Sequence, residues 1–470
     1  MLTTLVSFIV LLVILIFVHE LGHFLAAKIL GVRVLTFSLG FPPRIFSKKI
    51  GETVYQLAWI PLGGYVKLFG EEPGEEVPEE ERHRSLNHKP VWAKSVIVLA
   101  GPFFNIVFSV FALWLLTWAS GIQHAGTVLG PLDPESPLAR AGLMRDDLVR
   151  EVDGTPVKYF DELIKAERES GGRTLAVTVE RGGALRTFEV VPERKTGKGV
   201  FGDEESYWTA GFVSRGVPLL REARPSGPAG KAGLLPGDLV VSIDGEPTPD
   251  WRDVVRLIQG RPQAERQNQD GSAVPIVVEV ERGGALLSFT VTPDMEPSQD
   301  LEGKTTFTPL IGISPELEIL REPVGPARAF ALGVSDTWRM AKLTVLSVVK
   351  LLQNKISAKL MGGPIMIAEI AGKTARDGLA DFILLMCFIS VNLAILNLLP
   401  LPILDGGQFV IFLIEGIKRG PISLKAREIT QWVGVCCLVA LMVLVFYNDI
   451  SRLVTKFSGP PAAQVEERSD

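Results

Sequence analysis

His19-Glu20-Leu21-Gly22-His23 places two imidazoles and a carboxylate within five residues. On a helix, positions i and i+4 share a face. The two histidines can therefore bind one divalent metal ion, and Glu20, one position along, is placed to take a proton from water. That combination serves metal-assisted hydrolysis. Five-residue matches also arise by chance, and histidines at a helix end can simply cap carbonyls. The setting argues against this, because the motif ends an almost unbroken apolar run from Leu2 to Val18. Ionisable groups in a membrane-length helix are costly unless they act together.

A catalytic zinc takes three protein ligands and keeps one position open. Two come from the histidines, so a third must come from elsewhere. The best candidate is Asp405, in the stretch Asn397-Leu-Leu-Pro-Leu-Pro-Ile-Leu-Asp-Gly-Gly that ends at Gly407. Pro400 and Pro402 cannot continue a helix, so the chain should run extended there. Gly406-Gly407 should then form a tight turn that brings backbone close to the metal. The plainer alternative is an aspartate that caps a helix before two glycines. A fourth ligand is not evident, since His83, His88 and His124 read as loop residues. Cys387, Cys436 and Cys437 sit inside apolar runs and read as packing residues rather than disulfides. The expected ligand set is therefore nitrogen and oxygen.

These residues need elements to hold them. At 470 residues the chain exceeds one compact domain. Its mean hydropathy is positive although 21% of its residues are charged, so membrane segments must alternate with ordinary soluble ones. The net charge of −5 suggests neither a nucleic-acid nor a polyanionic partner. Four stretches reach the roughly 20 apolar residues a transmembrane helix needs. They are 1–30, 95–119, 380–402 and 429–449. The first lacks a cationic start and a clear A-x-A site, so it reads as a retained span rather than a cleaved signal.

Lys28, Arg33, Arg44, Lys48, Lys49 and Lys67 follow the first span, and Lys418, Arg419, Lys425 and Arg427 lie between the third and fourth. Basic loops stay in the cytoplasm. Both termini and the long region between spans two and three are then extracytoplasmic, and the HELGH motif lies near the cytoplasmic side. Reporter fusions after Trp118 and near Lys418 test this orientation.

The long region contains a duplication. Ala141-Gly142-Leu143 matches Ala232-Gly233-Leu234, Asp147-Leu148-Val149 matches Asp238-Leu239-Val240, and Asp153-Gly154 matches Asp244-Gly245. Glu180 to Leu185 recurs as Glu281 to Leu286. A period near 100 residues points to two duplicated domains rather than a solenoid, expected over 124–218 and 219–315. The P-A-x-x-A-G-L, G-D-x-V and I-D-G elements from Pro228 to Gly245 resemble the PDZ fold, which binds extended peptides by strand addition. The first copy departs from the pattern, with Arg145-Asp146 where the second has Pro236-Gly237. Simple steric screening by both copies is the other reading. Residues 326–375 read as amphipathic interfacial helices, and 458–470 as a disordered tail.

HExxH in the first span, paired with N-x-x-P-x-P-x-L-D-G-G after the third, resembles the signatures of site-2 proteases, which are zinc intramembrane metalloproteases. Further similarity lies in Gly31 to Val34, Pro61-Leu-Gly-Gly-Tyr-Val-Lys67, Ala100-Gly-Pro-Phe-Phe-Asn105 and Gly363 to Ala368. The chain most resembles the bacterial regulator-of-sigma-E subgroup, with two PDZ domains between spans two and three. The resemblance implies a polytopic α-helical inner-membrane protein with four transmembrane helices, two extracytoplasmic α+β PDZ domains and a membrane-re-entrant β-hairpin. It implies zinc on His19, His23 and Asp405, with Glu20 as general base. It also implies substrates that are pre-trimmed single-span proteins, of the anti-sigma-factor type or remnant signal peptides.

Asn397 can hydrogen-bond an unwound substrate backbone, although an interhelical bond is the alternative. The stretch holding Gly63, Gly64 and Tyr65 resembles the family's re-entrant hairpin, whose edge can take a substrate as an added strand. Asn105, near Gly101-Pro102, reads as a packing residue against the first span. Two other classes compete with the enzyme. A membrane PDZ scaffold with structural zinc would normally need a fourth protein ligand. A metal transporter would need polar residues along several spans, and these are scarce.

Overall fold

The computed structural model describes residues 2–72, 77–260, 273–316, 319–420 and 422–458 of the 470. The expected tail beyond 458 lies outside them. The chain divides into two compact units. One comprises Met1–Gly121, Pro323–Asn354 and Ala358–Ile450, and the other is mainly Ile122–Glu322.

The first unit is a helical bundle. Its long helices are α1 (Leu2–Ile29), α2 (Val91–Ser120), α3 (Pro326–Leu352), α4 (Pro364–Asp377), α5 (Leu379–Asn397), α6 (Asp405–Lys418) and α7 (Leu424–Ser458). Among them α1, α2, α5 and α7 are long and apolar enough to cross a membrane. Their ends differ from the expected ones. Helix α5 stops at Asn397 rather than 402, because the backbone turns at Leu398 ahead of Pro400 and Pro402. Helix α2 starts earlier, directly after Pro90.

Leu11 and Leu15 of α1, Ala371 of α4, and Phe382 and Met386 of α5 share one core. Leu2, Phe17, Trp118, Leu396 and Val443 instead face outward, as lipid-facing residues do. Glycines let the helices approach closely. A Cβ at Gly22 would lie 2.3 Å from the Ala100 carbonyl oxygen, and one at Gly333 would lie 3.0 Å from that of Val110. The amphipathic region 326–375 thus forms two helices that pack into the bundle, α3 along α2 and α4 against α1. Buried Asp449 of α7 accepts hydrogen bonds from the Gly363, Ile365 and Met366 N–H groups and so caps α4.

Between α1 and α2, β1 (Val34–Ile50) and β2 (Thr53–Leu68) form a hairpin folded back on itself. The start of β1 registers with the end of β2, Phe37 opposite Val66 and Leu39 opposite Gly64. The same residues also register with the start of β2, Phe37 with Tyr55 and Leu39 with Leu57. The start of β1 is therefore an inner strand, and Gly64 to Leu68 forms an edge. The turn lies at Gly51-Glu52, so Pro61 to Lys67 continues β2 rather than breaking it. Ala27, Val32, Val34, Leu68, Leu86 and Ile97 anchor the hairpin base.

In the second unit the duplication becomes two sheets of identical order. In one, Thr155–Pro156, Leu148–Val152, Leu175–Arg181 and Ala184–Val190 lie side by side; in the other, Glu246–Pro247, Leu239–Ile243, Ile276–Arg282 and Ala285–Val291 do. Each central hairpin turns at a Gly-Gly pair with positive φ, as tight hairpin turns require. Each sheet also repeats one ion pair: Arg181 grips buried Asp147, and Arg282 grips buried Asp238, both through two nitrogens. The departure at Arg145-Asp146 links the copies. Arg145 donates to the Pro249 carbonyl of the second copy at 2.6 Å, while Asp146 accepts from Arg215 within the first at 3.2 Å. Outside both sheets, Ile122–Ala125 pairs with Ile319–Glu322. His124 therefore lies in a strand rather than a loop, between Asp161 and Glu322.

Candidate metal centre

His19 and His23 project from one face of α1, with Nε2 atoms 3.3 Å apart and rings nearly perpendicular at 83°. Asp405 brings Oδ2 to 3.2 Å from His19 Nε2 and Oδ1 to 3.6 Å from His23 Nε2. Three potential ligand atoms, one from each residue, lie within 4.8 Å of one another. Asp405 Oδ2 is buried and has no hydrogen-bond partner among the described residues. A buried carboxylate oxygen without a donor is costly, and a cation held between it and the two imidazoles would satisfy it. The donor set of two nitrogens and a carboxylate suits a divalent ion with an open position.

The residues around Asp405 differ from the expected turn. Asp405 is the first residue of α6, and Gly406 and Gly407 fill its first turn. Neither glycine has positive φ. They are needed for space: a Cβ at Gly406 would lie 2.3 Å from the Leu398 carbonyl oxygen, and one at Gly407 would lie 2.0 Å from that of Leu401. The chain thus doubles back tightly before α6, and its start places the carboxylate against α1.

Helix α2 supplies the wall behind the histidines. Ile97, Gly101 and Asn105 fall at intervals of four and share one helix face. His23 Nδ1 donates to the Ile97 carbonyl at 2.9 Å, and the Asn105 amide lies 3.1 Å from His19 Nδ1. A Cβ at Gly101 would sit 2.3 Å from His23 Nε2. The sequence reading took Asn105 as a packing residue. An amide four positions from a glycine in an apolar span was the available signal.

The hairpin edge reaches the same place. A Cβ at Gly64 would lie 3.1 Å from Glu20 Cγ and 2.8 Å from Ile16 Cγ2. Gly63 lies against the Phe41 ring, and Tyr65 Oη accepts from Gln56 at 2.7 Å. Asn397 closes α5 half-buried, and its amide makes no hydrogen bond to another described residue. Of the sequence-predicted residues, His19, His23 and Asp405 converge and Gly64 borders Glu20, whereas no hydrogen bond joins Asn397 to them.

The model for peptidase family M50 matches residues 7–441. The regulator of sigma-E protease RseP of Escherichia coli strain K12 is 35% identical over 462 residues, covering 96% of this chain and 98% of that protein. Protease RseP of Yersinia pestis is 34% identical over 458 residues, with 96% and 99% covered. A Vibrio cholerae protein carrying a zinc-metalloprotease name is 32% identical over 463 residues, with 95% and 98% covered. The chain belongs to peptidase family M50 and is a zinc metalloprotease of intramembrane proteolysis.

Proposed function

We propose that His19, His23 and Asp405 hold the zinc and that Glu20 is the general base. The convergence of the three ligand atoms from α1 and α6 carries this assignment. Zinc bound there supplies Lewis acidity toward the scissile carbonyl and brings the pKa of bound water toward ~7. Glu20 takes a proton from the attacking water as the new C–O bond forms. It then delivers that proton to the departing amine as the C–N bond breaks. Gly64 beside Glu20 supports a substrate strand laid on the hairpin edge formed by Gly63, Gly64 and Tyr65. Strand addition exposes a scissile amide that a helix would hide. The amide of Asn397, without a hydrogen bond among the described residues, would hold the same unwound backbone.

The substrates are single-span membrane proteins whose outer part has already been removed. An anti-sigma factor fits the name of the Escherichia coli relative, and remnant signal peptides form a second class. The duplicated domains are PDZ domains on the extracytoplasmic side that screen out untrimmed proteins, and peptide ends bind their grooves. Both termini are extracytoplasmic, and the zinc lies near the cytoplasmic face of the inner membrane. The decisive variant is Glu20→Gln, measured in purified full-length protein. It should retain stoichiometric zinc and lose cleavage by about 100-fold or more. Proteolysis at the wild-type rate would remove Glu20 from the mechanism, and loss of zinc would make it a ligand.

A further inference from the structure

Both zinc-facing imidazoles present Nε2 to the centre, so each must carry its remaining proton on Nδ1 when a metal is bound. An N–H at that position needs an acceptor. For His23 the acceptor is the Ile97 carbonyl at 2.9 Å. For His19 the neighbour is the Asn105 amide, whose Nδ2 lies 3.1 Å from Nδ1. Two donors facing each other do not bond. The two ends of an amide are nearly indistinguishable by shape, so their assignment follows from the hydrogen-bond network. Asn105 Oδ1 is buried and without a partner among the described residues. Rotating the amide by a half-turn places that oxygen on His19 Nδ1–H.

We infer that Asn105 is a positioning residue for the zinc, fixing the ring orientation and proton location of His19 through an Nδ1–H to Oδ1 hydrogen bond. The inference rests on the zinc assignment above. Asn105 is suited to the task because little around it can move. It is fully buried, and its own carbonyl accepts from Ser109 Oγ at 3.0 Å and Ser390 Oγ at 2.9 Å. These bonds pin its backbone between α2 and α5. The same face of α2 holds His23 through Ile97 and leaves room for both rings at Gly101. Ile97, Gly101 and Asn105 step by four positions, matching the four-position step between the histidines. One helix face thus carries the outer support of both ligands, and partners of this kind orient the ring and raise its basicity.

The test uses detergent-solubilised full-length protein with Asn105→Leu, which keeps the branched shape without an acceptor, and Asn105→Asp, which keeps the acceptor without the amide N–H. Zinc affinity is measured by competition with a chelator, and the visible bands of cobalt-loaded protein report ligand geometry. Asn105→Leu should bind zinc about 10–100-fold more weakly and shift the cobalt bands. Asn105→Asp should bind within threefold of wild type, or more tightly, with the wild-type bands. A loss below tenfold in Asn105→Leu, or a loss in Asn105→Asp as large as in Asn105→Leu, overturns the inference. If Asn105→Leu fails to fold, Asn105→Asp decides alone, since a tenfold loss there contradicts an acceptor role. His19→Ala run alongside separates the two claims. Zinc binding that does not depend on His19 refutes the ligand assignment, whereas His19-dependent binding indifferent to Asn105 refutes only the positioning role.

Discussion

An alanine at position 101 is the smallest change that touches both histidines at once. Its Cβ would stand 2.3 Å from His23 Nε2 and 2.9 Å from His19 Cε1. Either the rings or α2 must then shift, and such overpacking costs about 1–3 kcal/mol. Alanine meanwhile favours a helix over glycine by about 1 kcal/mol, so the melting temperature should change little. Zinc affinity and cleavage should both fall. Gly325→Ala is the control, because its Cβ meets no described atom within 4 Å. A Gly101→Ala protein that loads zinc like wild type would show that the histidines tolerate the displacement. At this scale the sequence was most readable where residue identity alone carries the chemistry. His19, His23, Glu20 and Asp405 could be named from type, spacing and apolar context. Asn105 and Ile97 could not, because a lone amide beside Gly101-Pro102 reads equally well as packing and its bond to His19 follows only from the fold. A backbone carbonyl, moreover, has no residue type to recognise.

Elements were legible where a pattern repeats and less so where glycine has two uses. The Gly-Gly pair after Asp405 was expected to turn the chain, but it begins α6, and its bare backbone admits the Leu398 and Leu401 carbonyls. Crowding by a segment a few residues upstream leaves no local signature. The hairpin was expected from the resemblance around Gly63, Gly64 and Tyr65, yet its turn at Gly51-Glu52 and its second register, with one strand serving two neighbours, follow only from the fold. In the second unit, duplication exposed the sheets, and the same duplication shows which ion pair supports them. Burial alone would raise the Asp238 carboxyl, but hydrogen bonds from Arg282 and from the Leu235 N–H outweigh it and hold it below its ordinary value. A carboxyl lowered in the folded state contributes stability above the unfolded pKa of ~3.9, and that contribution is lost as pH falls through the lower folded value. Hydrogen-exchange protection in Leu239–Ile243 and Ile276–Arg282 should therefore hold from pH 7 to 5 and decline below about pH 4. Asp238→Asn should show reduced protection already at neutral pH, with a flatter acid response. Equal protection in both proteins at neutral pH would make the pair incidental.

The whole molecule is two compact units, and the path of the chain between them can be tested by surgery. Helix α2 ends at Ser120, and α3 begins at Pro326. Between these points Ile122 stands opposite Glu322 in an antiparallel ribbon, with His124 opposite Leu320. Directly opposed residues in such a ribbon have Cα atoms only about 4.5–5.5 Å apart. Everything from 122 to 322 can thus be replaced by a short Gly-Ser linker without stretching the helices it joins, and closing so short a loop adds little entropy cost. His19, His23, Asp405, Glu20 and Asn105 all remain. If the duplicated domains act as a filter, the excised protein should keep its zinc and its rate on a pre-trimmed substrate. It should also cleave the untrimmed form, which the full chain should refuse. An excised protein that cuts trimmed substrate but still refuses the full-length one would place selectivity in the helical unit. One that keeps zinc yet cuts neither would show that the repeats take part in presenting substrate. Only gain of cleavage on the untrimmed form supports a filter, because a damaged enzyme loses activity but does not acquire a broader range.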